Sequence, residues 1–136
     1  MNSSYQTQVI SLTSTTSKER FPLEIKYTEQ DNLICVKGRS LGTNLKEKYS
    51  QLLTDINSHL LAHRRLSLHF AYAKFDLSTL ESFYGILKVL KQQVSEGKMV
   101  KIIWYTSQYD TEMREIGNSF SELCMHYDLE FKIKLV

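Results

Sequence analysis

Apolar and polar positions run through this chain in two rhythms. Phe21, Leu23, Ile25 and Tyr27 stand two residues apart, the period of a half-buried strand. Glu29-Gln30-Asp31-Asn32 is turn chemistry, and Leu33-Ile34-Cys35-Val36 predicts a second strand that closes a hairpin. Gly38 to Asn44 reads as a loop, with Asn44 placed to cap the helix that follows. Leu45, Tyr49, Leu52, Leu53, Ile56 and Leu60 then recur on one helical face. Alternation returns at Leu66, Leu68 and Phe70. A second helix is predicted from Ser78 to Ser95, with Leu80, Phe83, Tyr84, Leu87, Leu90 and Val94 inward and Gly97 as its stop. Val100 to Tyr105 reads as a buried strand. A third helix starts near Asp110 and turns Met113, Ile116, Phe120 and Leu123 inward. Phe131, Ile133 and Leu135 make a last strand.

The predicted order is a hairpin, then helix-strand-helix-strand-helix-strand. Strands that alternate with helices favour right-handed crossovers and parallel pairing, and the leading hairpin makes the sheet mixed. The fold class is therefore α/β, with residues 21–136 as a single domain. Residues 1–20, rich in Ser and Thr, are expected to form a flexible N-terminal segment, with Gln8 to Leu12 as a candidate edge strand.

Composition then narrows the functional classes. The chain has 136 residues, enough for one core without disulfides or metal. Its 17 basic and 15 acidic residues leave a net charge of +2, which gives no overall nucleic-acid footprint. No apolar run approaches the roughly 20 residues of a membrane span. The N-terminus lacks a basic stretch followed by an apolar one, so no secretory signal is expected. Cys35 and Cys124 lie far apart in apolar surroundings and read as buried free thiols. A cytoplasmic location is expected.

The most informative stretch is Lys74-Phe75-Asp76-Leu77-Ser78-Thr79-Leu80-Glu81, which joins a strand to a helix. Loops at that edge of an open α/β sheet are where sites tend to form. Ser78 and Glu81 fit a capping box, with Ser78 as the cap. The same amides and helix dipole would favour a phosphate. Both readings, helix start and phosphorylation switch, stay open at this point. His59 and His63 stand four apart on the first helix, but a metal needs three or four converging ligands. They read as a packed pair, and no metal or cofactor is expected. There is no nucleophile elbow and no glycine-rich phosphate loop, so no enzyme activity is expected. Trp104 and Tyr105 are core residues or, alternatively, an interaction hot spot. Gly117, inside a helix, implies close packing by the sheet or by a partner.

Three stretches resemble the SiaC family of bacterial regulatory phosphoproteins, which have a STAS-like fold similar to SpoIIAA anti-sigma-factor antagonists. Gly38-x-Ser40-x-x-x-Asn44 is similar to the family's G-x-S-x-P-E-N loop, with Gly42 and Thr43 where Pro and Glu are usual. Asp76-Leu77-Ser78-Thr79 stands where the family has its N-T-S-S phosphorylation loop. Trp104-Tyr105 and the run Asp110-x-x-Met113-x-Glu115-x-Gly117-x-x-Phe120 are similar to the family's W-x-Y-D stretch and the helix after it. The order and spacing of these motifs, from Phe21 onward, carry the resemblance more than any one of them.

The resemblance implies a partner-switch protein. A SiaB-type kinase would phosphorylate the loop, a PP2C-type phosphatase would reverse this, and the unphosphorylated form would bind and activate a diguanylate cyclase. That would link the chain to cyclic-di-GMP and biofilm formation. It places partner binding on Phe75, Asp76, Leu77, Ser78, Thr79, Trp104 and Tyr105. Leu77 stands where the family's phosphorylated Thr would be and has no hydroxyl. The expectation is therefore a constitutively binding member, with Thr79 ahead of Ser78 as acceptor if one is used. A regulator of another target, like the anti-sigma-factor antagonists, is the alternative. A protein that shares only the fold is a third.

Overall fold

A computed structural model of the protein describes residues 22–42 and 45–136. Five strands, β1 (Glu24–Thr28), β2 (Leu33–Ser40), β3 (Arg65–Phe75), β4 (Met99–Thr106) and β5 (Glu130–Leu135), form one sheet in sequence order. β1 runs antiparallel to β2, and β2 to β5 are parallel. The crossovers are α1 (Lys46–Ala62), α2 (Leu77–Ser95) and α3 (Thr111–His126). Sequential order with right-handed crossovers puts all three helices on one face of the sheet. The expected hairpin, mixed sheet and helix order are all present. The candidate strand at Gln8 to Leu12 lies outside the described residues.

The core follows from alternation. Ile34, Val36, Leu66, Leu68, Phe70, Ile102 and Trp104 face the helices and are essentially inaccessible. Leu52, Ile56 and Leu60 of α1, Phe83, Ile86, Leu87 and Leu90 of α2, and Phe120 of α3 meet them. Phe83 and Phe120 rings lie 4.3 Å apart, and Trp104 packs edge-on to Phe83 at 5.5 Å. Tyr84, expected to face inward, is 43% exposed, and Ile86 takes the interior place instead. Ile86-Leu87-Leu90 with Phe83 centres the apolar stripe one residue away from Tyr84, whose ring only edges Phe120 at 5.5 Å.

The hairpin turns tightly through a 3-10 turn, Glu29–Asp31, and Asn32 adopts the left-handed conformation at φ 52°. Asn tolerates that region because its short amide hydrogen-bonds locally. β1 is shorter than the alternation implied. It starts at Glu24, while Pro22 makes only an isolated bridge to Arg39. β2 is longer, running through Gly38 to Ser40. Gly38 sits at φ +110°, and a Cβ there would lie 2.3 Å from the Pro22 carbonyl oxygen, so the crossing chain needs glycine. The N-cap position of α1 is Leu45, with no side-chain cap bond. Asn44, the expected cap, lies outside the described residues.

The other face of the sheet carries the alternate residues. Cys35, His69, Ile103 and Lys132 form one cross-strand row. A small apolar cluster of Ala71, Ile103 and Tyr105 sits at its centre.

Candidate functional site

The C-terminal ends of β2, β3 and β4 bring together the loop after β2, the loop from Phe75 to Leu77, and the loop before α3. Asp76 organises this edge. It is the N-cap of α2, and its Oδ1 accepts from the Thr79 amide at 2.9 Å. Its Oδ2 accepts from the Gly42 amide at 2.7 Å, clasping the β2 loop to the helix start. Burial pushes the Asp76 carboxyl up, but the amide hydrogen bonds from Gly42 and Thr79 outweigh it and hold the group below its usual 3.8.

Ser78 is therefore not the cap. The cap lies two residues upstream, at Asp76, whose extended backbone lets its side chain accept from the Thr79 amide. Leu77 is the first residue of α2 and projects outward, 71% exposed. Ser78 is half-buried.

Thr79 faces the interior and is 2% exposed. Its hydroxyl donates to the Ser40 carbonyl at 2.7 Å and contacts the Ser40 hydroxyl. The Ser40 hydroxyl also bonds the Tyr49 hydroxyl at 2.6 Å, which reaches Tyr72 at 3.0 Å. Burial raises the Tyr49 and Tyr72 phenols above their usual 10.0, so this chain of four hydroxyls carries no charge. Thr79, expected to be the readier acceptor, is enclosed by this packing. Its hydroxyl is structural, tying the first turn of α2 to the end of β2.

Phe75 packs inward, 5.0 Å from Tyr72 and 6.1 Å from Trp104 between ring centres. Trp104, expected at a partner surface, is 1% exposed. Its indole donates to the Met113 carbonyl at 3.2 Å, and Gly117 makes room for it. Tyr105 points to the other sheet face and is 4% exposed. Both rings are enclosed by packing on their own faces of the sheet, and the loop residues form the accessible part of this edge. Tyr109, 86% exposed in the loop before α3, belongs to the same edge by topology. Sequence reasoning missed it, since one tyrosine in a polar loop carries no pattern.

The histidine pair packs as expected. His59 is 1% exposed and its Nε2 faces two acceptors, Asn32 Oδ1 at 3.0 Å and the Arg65 carbonyl at 2.8 Å. Nε2 therefore carries the hydrogen, and Nδ1 accepts from the Tyr27 hydroxyl at 2.6 Å. His63 stacks on His59 at 4.5 Å and meets Glu29 at 3.0 Å. No group of three metal-ligating side chains occurs among the described residues. Cys124 is buried, with its thiol pushed up to about 12, and Cys35 is half-buried with a raised thiol, both by desolvation. An open groove at the opposite sheet edge is lined by Arg65, Val94, Lys98, Asp128 and Glu130, mixed charges without a nucleophile–base pair. No described helix is long and apolar enough to cross a membrane.

Comparison with known proteins agrees with this architecture. No curated protein matches the sequence. A chain in the crystal structure of diguanylate cyclase SiaD in complex with its activator SiaC, from Pseudomonas aeruginosa, superposes with a TM-score of 0.73 at 19% identity, covering 84% of this chain and 93% of that one. The apo-SiaC crystal structure from the same organism gives 0.74 at 21% identity, covering 84% and 91%. The family model described as SiaC family regulatory phosphoprotein matches residues 16–134. With nearly the whole chain matched and the same sheet and crossovers in place, this protein belongs to the SiaC family of regulatory phosphoproteins.

Proposed function

We propose that this chain is a non-enzymatic regulator that binds and activates a diguanylate cyclase through the edge around Leu77, and so raises cyclic-di-GMP and affects biofilm formation in a bacterial cytoplasm. The observation that carries the reading is an exposed leucine on a fixed base. Leu77 is 71% exposed, yet its backbone is held by the Asp76 clasp to Gly42 and by the Thr79–Ser40 contact beneath. An apolar side chain on a preorganised helix start loses little entropy on docking, which is how interface anchors act. The superposition on SiaC, which activates SiaD, supports a cyclase as the partner class.

The test is titration of a cognate cyclase with wild-type protein and with Leu77→Asp. Affinity should fall by at least about tenfold, as for loss of an interface anchor, with cyclic-di-GMP synthesis falling alongside. Equal binding by both would place the contact elsewhere. Purified protein alone should turn over neither nucleotides nor phosphoesters; turnover abolished by one substitution within the chain would overturn the non-enzymatic reading.

Regulation of this edge by phosphate is the second part of the reading. Leu77 has no acceptor and the Thr79 hydroxyl is enclosed, which supports a member that stays competent to bind. Ser78, half-buried beside Leu77, is the one hydroxyl of the three-residue run within reach of a kinase without opening α2. Incubation with a SiaB-type kinase and ATP should leave the intact mass unchanged. Stoichiometric phosphate on Ser78, removable by a PP2C-type phosphatase, would make the chain a switch and overturn this part alone.

A further inference from the structure

The sheet divides the charge of this molecule. The face opposite the helices carries Lys26 on β1, Lys37 and Arg39 on β2, and Arg65 on β3. Past the register shift in β3, Lys74 pairs with Arg39 and joins them, as do Lys101 on β4 and Lys132 and Lys134 on β5. These are eight of the 15 basic residues among the described ones; Glu24 and Glu130 are the two of the 14 described acidic residues on the same face, paired with Lys37 at 3.4 Å and Lys132 at 3.6 Å. The other described residues comprise seven basic against twelve acidic, so a net charge of +2 conceals a basic face opposite an acidic remainder of the described structure. The described helices all lie on the other side.

We propose that this second face is a docking surface for an acidic segment of a partner protein. It is separate from the Leu77 edge and does not depend on the function proposed for it.

Charge complementarity argues for the occupant. Arg39 lies directly opposite Lys74, and Lys26 with Lys37, Arg65 with Lys101 and Lys101 with Lys132 are diagonal neighbours on adjacent strands, about 7–8 Å apart and within a screening length of roughly 8 Å, so the fields within each of these pairs add. The response of His69 fits such a field. Burial and the charges of Lys101 and Lys134 lower its pKa from 6.5 to about 4. A single-stranded nucleic acid fits less well, because base stacking needs exposed rings, and Tyr105 is 4% exposed while His69 is half-buried. A lipid surface fits less well too. The apolar centre, Ala71, Ile103 and Tyr105, is at most 9% exposed and offers nothing to insert. An acidic peptide needs only the lysines around that centre.

The experiment titrates the full chain with oligo-glutamate, with a thymidine oligonucleotide of equal charge, and with phosphatidylglycerol vesicles, following backbone amide resonances. Oligo-glutamate should shift Lys101, Ile103 and Lys134, leave Leu77 in place, and bind more weakly as salt rises. The variant Lys101→Glu/Lys134→Glu should lose affinity by at least about tenfold. The variant Lys46→Glu/Lys88→Glu, equal in net charge but altered on the helices, should bind as wild type does. Circular dichroism establishes that both variants are folded. Oligo-glutamate shifts confined to other surfaces, or equal losses in the two variants, would overturn the proposal. Tighter binding of the oligonucleotide or the vesicles to the same face would overturn it in favour of that ligand.

Discussion

Asp76 and Gly117 show how much one residue decides here. Asp76 caps α2 and holds Gly42 with the same carboxylate. Asp76→Ala should cost about 1 kcal/mol from the lost cap, read as a lower urea midpoint, and should loosen the Gly42 loop in amide exchange. Its carboxyl is held below 3.8 in the folded state, so its contribution is complete above that value and disappears as pH falls through the lower folded value. The acid limb of the Asp76→Ala stability profile should therefore be flatter than that of wild type below about pH 4. At Gly117 a Cβ would lie 2.6 Å from Trp104 Cδ1 and 2.7 Å from Nε1. Trp104 is fixed by its bond to the Met113 carbonyl and by the surrounding rings, so it cannot yield cheaply. Gly117→Ala should destabilise by about 1–3 kcal/mol despite alanine's better helix propensity. A stabilised variant would show that α3 moves freely on the sheet.

At the scale of elements, the C-terminal turn of α1 is tied to the hairpin and to the start of β3 by one imidazole. His59 bonds Tyr27, Asn32 and the Arg65 carbonyl, and three separate segments depend on it. His59→Leu keeps the volume but leaves buried oxygens and a phenol unpaired. The expected loss is about 1–3 kcal/mol, measured by chemical denaturation. Amide protection should fall in β1 and around Asn32, with β4 and β5 unaffected. Uniform loss of protection across the sheet would mean that the hairpin does not open as a unit.

For the whole molecule, the one-sided sheet sets both stability and its response to acid. His69 stands among lysines on the basic face, with its pKa lowered from 6.5 to about 4. The unfolded chain binds a proton at this position before the folded one does. The stabilisation is thus full above pH 6.5 and is lost as pH falls toward 4. His69→Gln should reduce the fall in denaturation midpoint across that window, and an unchanged profile would mean that the folded ring titrates normally. Because the lysine field contributes, added salt should shrink the wild-type effect as well.

Much of this was legible in the residue pattern, for a local reason. The periods 2 and 3.6 are properties of backbone geometry, so the strands through Leu66, Leu68 and Phe70 and through Val100 to Tyr105, the three helices and the mixed sheet follow from the sequence. So does the packed reading of His59 and His63. Motif order also carried the family, since Gly38, Ser40, Asp76, Trp104 and Gly117 are spaced by the fold. What the tertiary structure alone decided depends on which atoms meet across the chain. Asp76 rather than Ser78 caps α2, because Gly42 arrives from another loop to share the carboxylate. Thr79 is withdrawn from the surface because Ser40, thirty-nine residues earlier, bonds it. Trp104 is enclosed because Gly117 lets α3 approach. The basic residues of the five strands come to share one face only when strand pairing sets the register, a grouping that a net charge of +2 does not express.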